Sequence, residues 1–204
     1  YGLPKKGFVF CCFNSNEKIL PDTFDSWMRI LQSIEGSVIW LIVNNIEAIK
    51  NLRKEARNRG VDSSRMVFTK QVSFDEYIAL HQLADLFLDT FPYGAHSTAN
   101  FALLAVLPVL THKGKAYTSR VASIYLNAFN LSELITENKN DYEKKAIELA
   151  FDPAALSKIK EKLNYNKLKA SLLDSKLSTM HLEQAYELIY DRYRNGLSPD
   201  HIEI

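Results

Sequence analysis

The sequence predicts an α/β fold: a doubly wound parallel sheet with additional helices at its C-terminal end. Three observations lead there. Short apolar runs alternate with amphipathic stretches of helical period. The runs are apolar at nearly every position, as in strands covered on both faces. No internal repeat or low-complexity linker interrupts them, so residues 1–204 read as a single Rossmann-like domain with a helical extension over about 139–204.

Each element has its own signal. The run GFVFCCF (Gly7 to Phe13) is the first strand. Pro21 then opens a helix with Phe24, Trp27, Ile30, Leu31 and Ile34 on one face and Asp22 or Thr23 as its expected cap. SVIWLIV (Ser37 to Val43) is the second strand. Ile46 to Gly60 is an amphipathic helix closed by Gly60, with Lys and Arg near its C-terminal end, where the helix dipole favours them. Arg65 to Thr69 is the third strand, and Ser73 with Glu76 marks the next helix by capping-box spacing. The strand Leu86 to Asp89, a helix from Ser97, the strand Pro108 to Leu110, the helix Thr118 to Phe129 and a brief strand Glu133 to Ile135 follow. Asp141 to Asn195 is almost wholly helical. Within it Met180, Leu182, Ala185, Tyr186, Ile189 and Tyr193 recur at roughly helical intervals, a stripe expected in the core.

Composition excludes several classes of function. The chain is 47% hydrophobic and 24% charged, as globular proteins are. A net charge of +1 lacks the basic face of a nucleic-acid binder. No apolar run approaches the ~20 residues of a membrane span. Cys11 and Cys12 are adjacent in a strand, with side chains on opposite faces. That disfavours a disulfide between them and fits a reducing, cytoplasmic setting. The five histidines show neither the close pairing nor the cysteine partners of a zinc site, so no metal is expected. Tyr1 to Pro4 carry no initiating methionine and no signal pattern, and the chain reads as cut from a longer protein.

The usual strand order for such a sheet, 3-2-1-4-5-6, puts the ligand crevice at the carboxyl ends of strands one and four. The loops there are Asn14 to Pro21 and Thr90 to His96. In the second loop Gly94 permits a sharp turn and close approach of a ligand. His96, Ser97 and Thr98 then open a helix whose free amides and dipole attract phosphate. Capping by Ser97 explains the same residues, and both readings stand on this motif alone. Lys18 on the opposite lip supplies a mobile positive charge, with Asn14 and Ser15 as hydrogen-bonding neighbours. The first strand is followed by no GxGxxG, and the chain has no GKS or GKT triplet and no GxSxG elbow. Dinucleotide binding, a P-loop and an α/β-hydrolase nucleophile are thereby disfavoured. A diphosphate held by helix start and lysine remains.

Several segments carry a family resemblance: YGLP; FNSNEKILPDTFDSWMRIL; QLADLFLDTFPYGAHSTA; SRVASIYL with ELI and YEKKAIELA; and GLSPDHI. In order and spacing they resemble the C-terminal lobe of the catalytic region in the O-GlcNAc transferase and SPINDLY family of GT-B glycosyltransferases. The resemblance covers nearly the whole chain. It implies a UDP-GlcNAc donor, transfer to Ser or Thr of a protein acceptor, and no metal cofactor. Lys18, His96, Ser97 and Thr98 would engage the diphosphate, with Lys18 stabilising the leaving group. The loop near Val72 would hold the base, and Tyr77 would stack on it in place of a histidine.

The departures fall at the base and ribose end. The animal enzymes carry glutamine at the position of Ser15, lysine at Phe74, arginine at Leu80 and a ribose-binding aspartate at Phe101, where neighbouring Asn100 partly substitutes. A different donor such as GDP-fucose, used by plant SPINDLY members, and a non-catalytic scaffold are the alternatives. Lys113, Lys115 and Arg120 add field or remain a solvated basic loop. The resemblance further implies a missing N-terminal catalytic lobe that supplies acceptor contacts, preceding tetratricopeptide repeats, and an exposed patch where the last helix would cross to that lobe. By itself the chain is expected to bind nucleotide weakly and to turn over nothing.

Overall fold

A computed structural model describes residues 1–167 and 174–204. The strands are β1 (Val9–Cys12), β2 (Val38–Ile42), β3 (Met66–Thr69), β4 (Leu86–Leu88), β5 (Val109–His112) and β6 (Ile135–Thr136). They form one six-stranded sheet in the order β3-β2-β1-β4-β5-β6, and every pairing is parallel. This is the expected order, with the reversal between β1 and β4. The helices are α1 (Pro21–Ser33), α2 (Ile46–Asn58), α3 (Phe74–His81), α4 (Ser97–Leu104), α5 (Val121–Ala128), α6 (Lys139–Phe151), α7 (Pro153–Asn166) and α8 (Ser175–Arg194). No helix among the described residues is long and apolar enough to cross a membrane.

Why the central strands bury both faces is plain from their side chains: Phe10, Cys11, Ile39, Trp40, Leu86 and Phe87 are inaccessible to water. Cys11 and Cys12 are free thiols within this core, and burial pushes both well above the usual thiol range. At the end of α2 the Val61 amide reaches the Ala56 carbonyl and the Gly60 amide reaches the Arg57 carbonyl, both at 3.0 Å. That closure needs Gly60 at φ +74°, a backbone a side chain would strain.

Two expectations change. Neither Asp22 nor Thr23 caps α1, because Pro21 already occupies its first position and Leu20 precedes it without a side-chain cap. Thr23 is used elsewhere: its hydroxyl donates to the Phe91 carbonyl (2.7 Å) and accepts from the Phe91 amide (3.3 Å). The stripe on α8 is not core, since that helix has no buried residue and Tyr193 is 78% exposed. Helical period tells which side chains share a face, and a partner decides whether the face is covered.

One buried relay carries the helix layer to the carboxyl edge of the sheet. The Trp27 indole on α1 donates to the Tyr142 hydroxyl on α6 (3.2 Å), which donates to the Asp89 carbonyl just beyond β4 (3.0 Å). Arg29 and Glu143 pair at 2.7 Å across the same helices. The loop after β4 thus starts from a fixed point.

Candidate functional site

Asp89 organises the crevice, although sequence reasoning gave it no role. It is 0% exposed, and its carboxylate accepts from the Thr90 amide (2.8 Å), the Ala95 amide (2.6 Å), Asn14 Nδ2 (3.1 Å) and the Thr111 hydroxyl (2.7 Å). Burial pushes its pKa up, and these four donors oppose that shift. The donors to its Oδ1 curl residues 90–95 back on themselves and bring the start of α4 to the β1/β4 edge. A charge closing the apolar run LFLD was the available signal.

Gly94 serves this inner shell rather than a ligand: a Cβ there would lie 2.9 Å from Asp89 Oδ2. The space a glycine leaves is filled by the buried carboxylate.

Asn14 joins both lips. Its amide donates to Asp89 and to the Thr90 hydroxyl (2.8 Å), and its carbonyl oxygen accepts from the Thr98 hydroxyl (2.6 Å). With both amide hydrogens taken by protein, Asn14 acts as a brace.

The start of α4 separates the two readings of its residues. His96, not Ser97, is the N-cap, and it makes no side-chain capping bond. The Ala99 and Asn100 amides both reach the His96 carbonyl (3.0 and 3.2 Å). Among the described residues the Ser97 and Thr98 amides and the Ser97 hydroxyl have no partner, and Ser97 is exposed. Capping by Ser97 is therefore not what the helix uses, and two amide donors and a hydroxyl are left at its positive end.

Lys18 ends a short 3-10 turn on the other lip. Its ammonium donates to the Gly94 carbonyl (2.9 Å) and lies 4.1 Å from the centre of the Tyr93 ring. Burial pushes its pKa down, and the nearby Asp89 carboxylate works against that. Tyr93 in turn stacks on His96 at 5.3 Å between ring centres and 17° between planes. Lys18, Tyr93 and His96 thus form a continuous series across the crevice. Lys18, Ser15, Glu17, Leu20 and Tyr93 border a cavity of 480 Å³. Ser15 is exposed and its hydroxyl donates to the Glu17 carboxylate. Tyr93 was not foreseen, although an aromatic residue in a loop at the sheet's reversal point was there to be read. Lys113 pairs with Glu137 (3.6 Å), while Lys115 and Arg120 are exposed.

Residues 1–182 match the profile of glycosyl transferase family 41. The chain belongs to that family. This family 41 chain is 32% identical over 202 residues to the UDP-N-acetylglucosamine–peptide N-acetylglucosaminyltransferase of Caenorhabditis elegans, covering 99% of the chain and 18% of that protein. It is 29% identical to the probable UDP-N-acetylglucosamine–peptide N-acetylglucosaminyltransferase SEC of Arabidopsis thaliana, covering 100% of the chain and 21% of that protein. Among solved structures it is similar to a variant of the Thermobaculum terrenum O-GlcNAc transferase, with a TM-score of 0.84 and 28% identity. That match covers 88% of the chain and 35% of the solved one. The chain spans about a fifth of the length of the curated relatives it matches.

At the far end of the crevice the family 41 chain is aromatic. Tyr77 packs edge-on against His81 (4.7 Å) and Phe101 (6.1 Å) and tilts against Phe13 (6.0 Å). Its hydroxyl is buried without a partner among the described residues, and burial pushes the phenol up. The ring expected to stack on a base is taken up in packing. The outward ring is instead Phe74, the first residue of α3, which is 60% exposed and lies edge-on to Phe101 at 5.2 Å. Val72 is half-buried against the core, and the half-buried Asn100 makes no side-chain hydrogen bond among the described residues.

Proposed function

We propose that this chain is the donor-binding lobe of a protein O-glycosyltransferase. The lobe takes a nucleoside diphosphate sugar, with UDP-N-acetylglucosamine as the first candidate, for transfer to Ser or Thr hydroxyls of a protein. One observation carries the reading: the Lys18 ammonium meets the loop after β4 at the Gly94 carbonyl, and that loop leads into a helix start whose Ser97 and Thr98 amides are unpaired among the described residues and which the Asn14–Thr98 bond braces at the β1/β4 edge. The printed names of the relatives point to the same reaction.

The chemistry follows from those donors. As the acceptor oxygen bonds to the anomeric carbon, the bond from that carbon to the diphosphate breaks and its electron pair goes to the β-phosphate. An ammonium and two helix-start amides stabilise that growing charge without a metal ion. Lys18 exchanges the Gly94 carbonyl for a phosphate oxygen, and the Asn14 brace keeps α4 in place. Acceptor contacts and a base to take the hydroxyl proton fall to the rest of the longer protein.

Thermal unfolding in the presence of UDP, GDP, UDP-GlcNAc and GDP-fucose tests the reading. A ligand at a hundredfold excess over its Kd adds about 2.7 kcal/mol of stability. No stabilisation by any of the four assigns the chain to the scaffold alternative.

A further inference from the structure

We infer that a cavity on the β5 side of the crevice is a second binding site, one that takes a neutral aromatic ring carrying a single hydrogen-bond donor, as a phenol does. The cavity holds 380 Å³, within the range of small-molecule sites. Leu20 borders both this space and the one beside Lys18, so the two are neighbours. Its apolar walls are Leu20 and Pro21 at the start of α1 and Phe91 and Pro92 just before Tyr93. Phe91 is held firmly. The Thr23 hydroxyl bonds both its carbonyl and its amide, and its ring packs edge-on with Tyr142 at 5.5 Å and with His112 at 5.2 Å. On the far side Gly114 completes the wall, since a Cβ there would lie 2.6 Å from Ser119 Oγ.

Most polar groups around this space are already committed. Asp22 and Lys139 pair with each other, and the ammonium lies 6.0 Å from the centre of the Phe91 ring. The Ser119 hydroxyl donates to the Ala116 carbonyl (2.7 Å), and the Gly114 amide to the Ser119 carbonyl (3.3 Å). The two helix starts that reach the cavity do not ask for an anion. Pro21 brings no amide, the Asp22 carboxylate stands in the first turn of α1, and the Asn138 side chain caps α6. His112 is the exception. Its Nδ1 faces the Thr136 carbonyl (3.4 Å), an oxygen that can only accept, so Nδ1 carries the proton and in the neutral imidazole Nε2 keeps a lone pair. That nitrogen has no partner among the described residues. Apolar walls, a neutralised ion pair and one open acceptor suit a flat ring whose O–H points at Nε2. A charged ligand would give up water for a pair that is already neutral.

NMR titration of the isotope-labelled chain with p-cresol tests the site, beside p-methylanisole, which lacks the O–H, and p-toluate, which is charged. In the parent, p-cresol should shift the signals of Phe91, His112 and Lys139 with a Kd of about 1 mM, as a ligand of its size can. The anisole should bind about fivefold more weakly, the worth of one hydrogen bond, and p-toluate more weakly again. In His112→Phe the cresol and the anisole should bind alike, and Leu20→Glu, a carboxylate at the mouth, should weaken both. Thermal unfolding confirms that each variant folds, and the cresol–anisole comparison on the parent needs no variant. N-acetyl-tyrosinamide separates the two sources of a phenol: tighter binding than p-cresol assigns the cavity to a tyrosine side chain of a polypeptide, weaker binding to a free phenol. No shift at the three residues, equal affinity for cresol and anisole in the parent, or a preference for p-toluate overturns the site. Displacement of p-cresol by UDP overturns its separateness from the crevice. Failure of every nucleotide to bind leaves the cresol result standing, because no step here depends on the donor.

Discussion

Replacing Lys18 with methionine removes an ammonium while keeping an unbranched stem, and its consequence can be worked out from the contacts. The charge lies 2.9 Å from the Gly94 carbonyl and 4.1 Å from the centre of Tyr93, on a side chain only partly withdrawn from water. A hydrogen bond from a charged donor to a phosphate oxygen is worth about 1.5–3 kcal/mol. Its loss therefore weakens diphosphate binding by roughly 10- to 150-fold. The free protein changes less: the Gly94 bond and the ring contact each contribute about 1 kcal/mol, and the relieved desolvation of the ammonium offsets part of that. Calorimetric titration with pyrophosphate and UDP at low and moderate salt reads the effect, with Lys18→Arg as the charge-retaining control. Both ligands should lose the same factor, because the contact is to phosphate and not to the base. A folded Lys18→Met variant that binds pyrophosphate like the parent would refute the assignment of the crevice.

Three further outcomes follow from the same geometry. Asp89→Ala strands two backbone amides and two side-chain donors in the core, and should cost about 3 kcal/mol or more in a urea unfolding curve; a loss below about 1 kcal/mol would contradict its organising role. Tyr93→Ala should weaken pyrophosphate binding several-fold by releasing Lys18 and His96, whereas Tyr93→Phe, which keeps the ring, should leave it unchanged; equal effects of the two would dismiss the stacked series. His81 donates from Nδ1 to the Tyr77 carbonyl (2.8 Å) and leaves Nε2 buried without a partner among the described residues, so burial pushes its pKa down. The unfolded chain takes up a proton as pH falls through about 6.5 while folded His81 does not, so stability is lost on acidification below that point. In His81→Phe the slope of stability against pH between about 7.5 and 5.5 should be shallower than in the parent, and identical slopes would exclude His81 as its source.

What could be read without coordinates was whatever neighbouring residues write locally. The apolar runs located the first five strands, whereas of the expected Glu133 to Ile135 only Ile135 is strand, Ser132–Leu134 being a 3-10 turn; Gly60 and Ser73 marked helix ends because caps and left-handed turns depend on a few adjacent residues. Lys18, His96, Ser97 and Thr98 were legible as candidates for anion binding because phosphate chemistry restricts residue types at a strand-to-helix junction, and the fold brings the segments that carry them to one edge of the sheet. Tertiary structure decided the rest. Asn14 meets Asp89 across 75 positions of sequence and Lys18 meets Gly94 across 76, contacts that exist only because the sheet lays β1 beside β4. The same packing turned Tyr77 inward, left Phe74 outside, and gave the space at Gly94 to a buried carboxylate. Period and composition say which side chains are suited to burial; which surface they meet depends on segments brought together from far along the chain, and no local pattern encodes that meeting.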